Sequence, residues 1–107
     1  MVRLDAVLAA RPDEVSWRHA LRTHFHEGPQ RRWWAQLRDD TRGRWRAAPE
    51  SRRESVQPWV TVSVAGQRVA MFWFEDDVLW LRDDAGLWRV AVTPAQQRLW
   101  QAGLVTW

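Results

Sequence analysis

Apolar residues change their spacing near residue 58, and this change divides the chain into two parts. From residue 59 to residue 92, short runs alternate between apolar and polar side chains and are separated by turn-forming residues, as in an antiparallel sheet. From residue 12 to residue 48, apolar residues recur every three or four positions, as on one face of a helix. The sequence therefore predicts an α+β fold whose helices lie mainly in the N-terminal half.

Four strands are predicted in the second part, over residues 59–64, 68–74, 78–82 and 87–92. Glycine and aspartate between these runs favour tight turns, so we expect each strand to pair with the next in an antiparallel meander. Thr93 and Gln96 then form a capping box for a C-terminal helix. This helix is expected to reach about Ala102, with Gly103 as its stop.

The first part predicts two or three helices. Pro12, Asp13 and Glu14 are typical of a helix start, and Gly28-Pro29 would end that helix. A second helix is predicted over 29–48, with Gly43 as a candidate break point, and a capping box at Ser51–Glu54 predicts a short third helix. The predicted architecture is a set of N-terminal helices packed on the four-stranded antiparallel meander, closed by the C-terminal helix. A chain of 107 residues fits a single domain over 1–107.

The chain contains no Cys, Lys, Ile, Asn or Tyr, so its 16 basic residues are all arginine. The absence of cysteine excludes a disulfide framework, a thiolate metal site and a cysteine nucleophile. The four other missing residues have AT-rich codons, which indicates a bacterial or phage gene of high GC content. The sequence shows neither a secretory leader nor an apolar run of the length that spans a bilayer, so we expect a cytoplasmic protein without membrane contact.

Candidate catalytic and metal-ligating residues lack a convergent arrangement. His19, His24 and His26 are close in sequence, but in a continuous helix His19 and His26 would be about 10.5 Å apart, too far to chelate one ion. The acidic residues at 75–77 and 83–84 lie in turns at opposite ends of one predicted strand, where aspartate is a favoured turn residue. No nucleophile elbow, phosphate-binding glycine loop or zinc-protease helix is present. The sequence predicts no enzyme, no cofactor and no metal.

The most unusual features are ten tryptophans and an arginine-rich segment over 31–53, which has eight arginines and three acidic residues. Most of the indoles fall on apolar stripes, and those of Trp33, Trp59 and Trp107 are the candidates for exposure. Exposed tryptophan and arginine are enriched at protein interfaces. We therefore predict a non-enzymatic protein-interaction module: a regulator, inhibitor, accessory subunit or homodimer. Its expected binding residues are Arg31, Trp33, Arg38, Arg42, Arg46 and Trp59.

Two other interpretations of this segment stay open. Arginine forks bind phosphate and indoles stack on bases, so segment 31–53 could contact nucleic acid, although no helix-turn-helix, zinc-finger or RNA-recognition pattern accompanies it. Alternatively, the tryptophan face is core and the arginine stems cover its edge. In that case Asp39 and Asp40 would neutralise Arg42 and Arg44 within the helix.

Overall fold

The computed structural model describes residues 14–20, 22–49, 59–83 and 86–105 of the chain, without the side chains of Leu104 and Val105. These residues form seven strands and two helices. In chain order they are β1 (Val15–His19), β2 (Arg22–Phe25), α1 (Gly28–Asp40), β3 (Arg46–Ala47), β4 (Val60–Val64), β5 (Gln67–Glu75), β6 (Val78–Asp83), β7 (Gly86–Ala91) and α2 (Pro94–Val105). The predicted third helix at Ser51–Glu54, most of the predicted start at Pro12–Glu14, and Trp107 lie outside the described residues.

The seven strands form one antiparallel sheet in the order β2-β1-β4-β5-β6-β7-β3. Its central strands β4 to β7 pair in chain order, close to the predicted positions of the four runs in residues 59–92. The predicted architecture of N-terminal helices on a four-stranded meander is nevertheless wrong. The sheet is larger, because β1 and β2 extend it on one side and β3 extends it on the other.

The helix predicted after Pro12 is instead the hairpin of β1 and β2. Val15 and Trp17 are fully buried, whereas Arg18 between Trp17 and His19 is exposed. This alternation matches a strand, and β1 pairs with β4 so that Trp17 lies opposite Val62. The helical spacing of the apolar residues was therefore misleading. Pairing with β4 buries every second side chain of β1, which is the alternation of a strand.

Both helices pack on the same face of the sheet and enclose the main core. That core contains Val15, Trp17, Trp33, Trp34, Leu37, Val60, Val62, Ala70, Phe72, Leu79, Leu81, Val90, Val92 and Trp100. The opposite face carries a smaller buried cluster of Met71, Trp73, Trp80 and Leu87. Strand β5 supplies both clusters, as expected for a central strand that is apolar on both faces. Neither helix in the described part of the chain has the length and apolar character needed to cross a bilayer.

Helix α1 ends at Asp40, well before the predicted end at residue 48. Buried Thr41 donates its hydroxyl hydrogen to the carbonyl oxygen of Leu37 at 2.8 Å and accepts the indole N–H of Trp45 at 2.8 Å. Gly43 then adopts a φ of 73°, which glycine tolerates better than other residues. The candidate break point at Gly43 therefore lies in the turn that leads to β3.

Helix α2 begins with the predicted capping box. The backbone N–H of Gln96 donates to Thr93 Oγ1, and that of Thr93 donates to Gln96 Oε1, both at 3.1 Å. The expected stop at Gly103 is wrong, since the helix continues to Val105. Gly103 instead allows α1 to approach, because a Cβ atom there would lie 2.8 Å from Cδ1 of Trp33.

Candidate functional site

A continuous helix over 29–48 would align the four expected binding arginines in one stripe along its flank, but the structure divides them between two faces of the molecule. Arg31 and Arg38 lie on α1, Arg42 lies in the following turn and Arg46 lies on β3. In the sheet, Arg46 pairs with Arg89, which in turn pairs with Trp80. Since directly paired residues share a face, Arg46 projects on the side opposite the helices. The stripe was predicted from a continuous helix, and the end of α1 at Asp40 removes it.

Trp33 and Trp59, the two tryptophans among the expected binding residues, contact each other inside the protein. The exposed fraction of Trp33 is 7%, and Trp59 is half-buried. Their ring centroids are 5.4 Å apart in an edge-to-face arrangement. The Trp33 indole N–H also donates to the carbonyl oxygen of Trp100 at 2.9 Å. The expected exposure of Trp33 is therefore corrected, because its ring fills the space between the two helices.

Three of the expected binding arginines, Arg31, Arg38 and Arg42, contact groups of their own chain. Arg42 Nη2 lies 3.0 Å from Asp39 Oδ1, and Arg38 Nε lies 3.7 Å from the same oxygen. Arg31 Nε donates to the carbonyl oxygen of His26 at 3.1 Å. Two of these guanidinium groups therefore share one carboxylate, which lowers the net charge available to a partner.

A denser positive site lies at the β3–β7 edge of the sheet. Arg46 and Arg89 are directly opposite each other, and both are exposed. Ala48, two residues after Arg46, donates its backbone N–H to the carbonyl oxygen of Leu87 at 2.8 Å. Arg46 and Arg89 therefore form a hydrogen-bonded pair, in which Cβ atoms are about 5.5 Å apart. Within the described part of the chain, neither guanidinium forms an ion pair with a carboxylate.

Arg44 adds a third positive charge at this edge. Its Nη2 donates to the carbonyl oxygen of Ala91 on β7 at 2.6 Å, and its Nη1 donates to that of Asp40 at 3.2 Å. Arg46 Nη1 likewise donates to the carbonyl oxygens of Gly43 and Trp45, each at 3.3 Å. Backbone carbonyls position these groups but do not neutralise them. We call Arg44, Arg46 and Arg89 the edge arginine cluster.

Sequence reasoning missed Arg89 and the partnership of β3 with β7. Arg89 lies on the predicted fourth strand, whose alternation places it on the face opposite Trp88 and Val90. Nothing in the sequence pattern indicated which strand would pair with residues 46–47, because these residues were predicted to be helical. The alternation of β7 could have marked Arg89 as exposed, but not as the neighbour of Arg46.

The three histidines are not brought together around a metal. In the described residues, no three His, Asp or Glu side chains are grouped so as to hold an ion. Buried His26 stacks on Trp17 with a centroid distance of 5.4 Å, and its Nδ1 accepts the Trp17 indole N–H at 2.8 Å. Burial and, to a smaller extent, the Arg31 charge lower the pKa of His26 to about 4. Burial, followed by the Arg22 charge, also lowers the pKa of His19.

The acidic turns have structural contacts. Asp76 and Asp77 adopt φ values of 56° and 58°, as in the tight turns that join hairpin strands. Asp83 is buried and its Oδ1 accepts the backbone N–H of Gly86 and the indole N–H of Trp88, both at 3.1 Å. Asp77 directly precedes β6 and Asp83 is its last residue, so these carboxylates lie at opposite ends of the strand, as predicted.

No protein-family model, no curated protein and no solved structure matches this chain. A functional conclusion therefore has to come from the chemistry of the site.

Proposed function

We propose that this chain is a small binding module that docks an acidic surface of a partner protein through the edge arginine cluster. The supporting observation is the direct opposition of Arg46 and Arg89 on neighbouring strands. Like charges directly opposite each other destabilise a sheet. Carboxylates of a partner would convert this unfavourable pair into charge-assisted hydrogen bonds.

The chemistry of arginine suits this role. Its planar guanidinium presents several N–H groups in a fixed fork and is less strongly hydrated than an ammonium group, so it is readily desolvated at an interface. Arginine is accordingly enriched among the residues that dominate binding energies. Because the cluster is exposed, we expect electrostatic attraction to speed association and salt to weaken it.

A protein partner is favoured over nucleic acid by the distribution of the charges. Nucleic-acid affinity grows with the number of phosphates neutralised along the backbone. On a continuous helix the expected binding arginines would form one row for such contacts, but Arg31 and Arg38 lie on the helical side and Arg46 on the other face. Three arginines at one edge fit a compact acidic patch better than an extended polyanion.

The proposal is tested by comparing baits that differ only in the position of the lost charges. Pull-downs from nuclease-treated host lysate would use the wild-type chain, the double variant Arg46→Gln/Arg89→Gln, and the control Arg32→Gln/Arg98→Gln. The control also loses two charges, from exposed helix positions. We expect wild type and the control to capture a protein that salt elutes. The Arg46→Gln/Arg89→Gln variant should not capture that protein.

Two results would contradict the proposal. Equal retention by both double variants would show that the edge arginine cluster does not bind the partner. Loss of all retention after nuclease treatment would favour nucleic acid instead. Light scattering adds one more measurement: a dimer that the Arg46→Gln/Arg89→Gln variant dissociates would make a second copy of this chain the partner.

A further inference from the structure

We infer that Arg46 and Arg89 together hold one phosphate monoester group, so that the docking segment of the partner carries a phosphorylated side chain. The identity of the partner as a protein rests on the proposed function. The inference about the phosphate group rests on the geometry of the two arginines.

The pairing of the strands places the side chains of Arg46 and Arg89 at neighbouring positions, from which both guanidinium groups can reach one ligand. Arg46 and Arg89 start from directly paired backbone positions on the same face, about 5.5 Å apart at Cβ. Both side chains are exposed, and Ala91, the next residue on that face of β7, is exposed and small. A ligand can therefore approach both guanidiniums from solvent.

The number of charges distinguishes a phosphate monoester from a carboxylate. A carboxylate has two oxygens and one negative charge, which a single arginine fork satisfies. A phosphate monoester has three terminal oxygens and a charge of about −1.5 to −2 at pH 7. Two guanidiniums with a charge of +2 match that dianion in both charge and hydrogen-bond donors.

Hydrogen bonds to backbone carbonyls position the Arg46 side chain before a ligand binds. Arg46 Nη1 donates to the carbonyl oxygens of Gly43 and Trp45. Among the described residues, its Nε and Nη2 have no hydrogen-bond acceptor, so they can serve as a fork for a ligand. Arg44 is fixed between the carbonyl oxygens of Asp40 and Ala91 and adds positive charge at the same edge. A side chain that is already positioned loses less entropy on binding.

Unfolding experiments test two expected effects of Arg89→Gln: no loss of stability without a ligand, and no gain of stability from added phosphate. In low-salt chloride, Arg89→Gln should be at least as stable as wild type, because it removes the repulsion from Arg46. Addition of phenyl phosphate at constant ionic strength should raise the melting temperature of wild type and of the control Arg98→Gln, but not that of Arg89→Gln. An Arg89→Gln variant that is less stable than wild type, or that gains equally from phenyl phosphate, would overturn the inference.

Calorimetric titrations then identify the anion. Phenyl phosphate, diphenyl phosphate and benzoate represent a monoester, a diester and a carboxylate on similar rings. We expect phenyl phosphate to bind at least tenfold more tightly than the other two and at least tenfold more tightly to wild type than to Arg46→Gln. Its binding should weaken as the pH falls below about 6, where the monoester loses its second charge.

The outcomes separate this inference from the proposed function. Equal binding of benzoate would refute the phosphate inference and leave docking to an acidic partner intact. Equal binding of the diester would refute both and favour a nucleic-acid backbone. Selective monoester binding without any captured protein would support the phosphate site at Arg46 and Arg89, but it would refute the proposed function and with it the phosphorylated protein partner.

Discussion

Replacing Gly103 by alanine tests how closely the two helices approach each other. A Cβ atom at this position would lie 2.8 Å from Cδ1 and 3.3 Å from Nε1 of Trp33. The indole has little room to move, because its ring packs 5.9 Å from that of Trp17 and 5.4 Å from that of Trp59. The added methyl group must therefore separate the helices or displace the ring.

Opposing effects determine how much Gly103→Ala changes the free energy of unfolding. Alanine is favoured over glycine within a helix by about 1 kcal/mol. Overpacking of a core contact typically costs about 1–3 kcal/mol. Displacing the ring also weakens the 2.9 Å hydrogen bond from Trp33 to Trp100, and such a bond contributes about 1 kcal/mol. We expect Gly103→Ala to lower the free energy of unfolding by about 1–3 kcal/mol.

Urea unfolding followed by circular dichroism measures this change. Gln101→Ala is the matched control, because Gln101 is exposed on the same helix. In a Trp33→Val background the side chain has no atom beyond Cγ, so neither atom that would meet the new Cβ is present. Gly103→Ala should therefore be less destabilising there than in wild type. If Gly103→Ala stabilises the wild-type chain by the propensity difference of about 1 kcal/mol, our explanation for the glycine is wrong.

Three further predictions concern single positions. Burial lowers the pKa of His26 to about 4 in the folded chain. The imidazole therefore takes up a proton below about pH 6.5 in the unfolded chain, but only near pH 4 in the folded chain. Stability should therefore fall by up to about 3 kcal/mol across that window; urea midpoints at pH 7 and 4.5 test this, and an equal fall in His26→Gln would contradict it. Thr41→Val should lower the free energy of unfolding by about 1–3 kcal/mol, because Trp45 Nε1 loses its buried acceptor; thermal unfolding beside Thr41→Ser measures the effect, and equal stability of both variants would count against the hydroxyl. Ala65→Asn should raise the free energy of unfolding by about 0.5 kcal/mol, because Ala65 has a φ of 51° and asparagine tolerates the left-handed region better than alanine does. Urea unfolding that shows a loss of stability would refute this.

Local patterns predicted those elements whose contacts lie close in sequence. The hairpins of residues 59–92 are joined by short turns, and the capping box at Thr93 forms its hydrogen bonds within four residues. In both cases the residues that decide the structure are neighbours along the chain. Alternation and capping preferences are then sufficient to locate the element.

Long-range pairing decided the elements that were predicted wrongly. Residues around Trp17 satisfy a helical and a strand pattern at once, and only the neighbouring β4 selects the strand. Residues 46–47 are a strand because β7 offers an edge, a fact that no local pattern contains. The candidate site depends on this second pairing, so its residue Arg46 could be identified from the sequence but its neighbour Arg89 could not.

The contacts of the tryptophans support our choice of arginine, rather than tryptophan, for the proposed binding site. Five indole N–H groups in the described residues donate to defined acceptors: Trp17 to His26, Trp33 to Trp100, Trp45 to Thr41, Trp88 to Asp83 and Trp100 to Asp40. An indole whose ring is packed and whose N–H is bonded has one orientation, so these side chains fix how strands and helices are placed on one another. Three of these rings, those of Trp17, Trp33 and Trp100, are also buried, so they are not available to a partner. In the described part of the chain, the side chains of Arg46 and Arg89 form no hydrogen bond to another strand or helix, which supports our proposal that their positions serve a ligand.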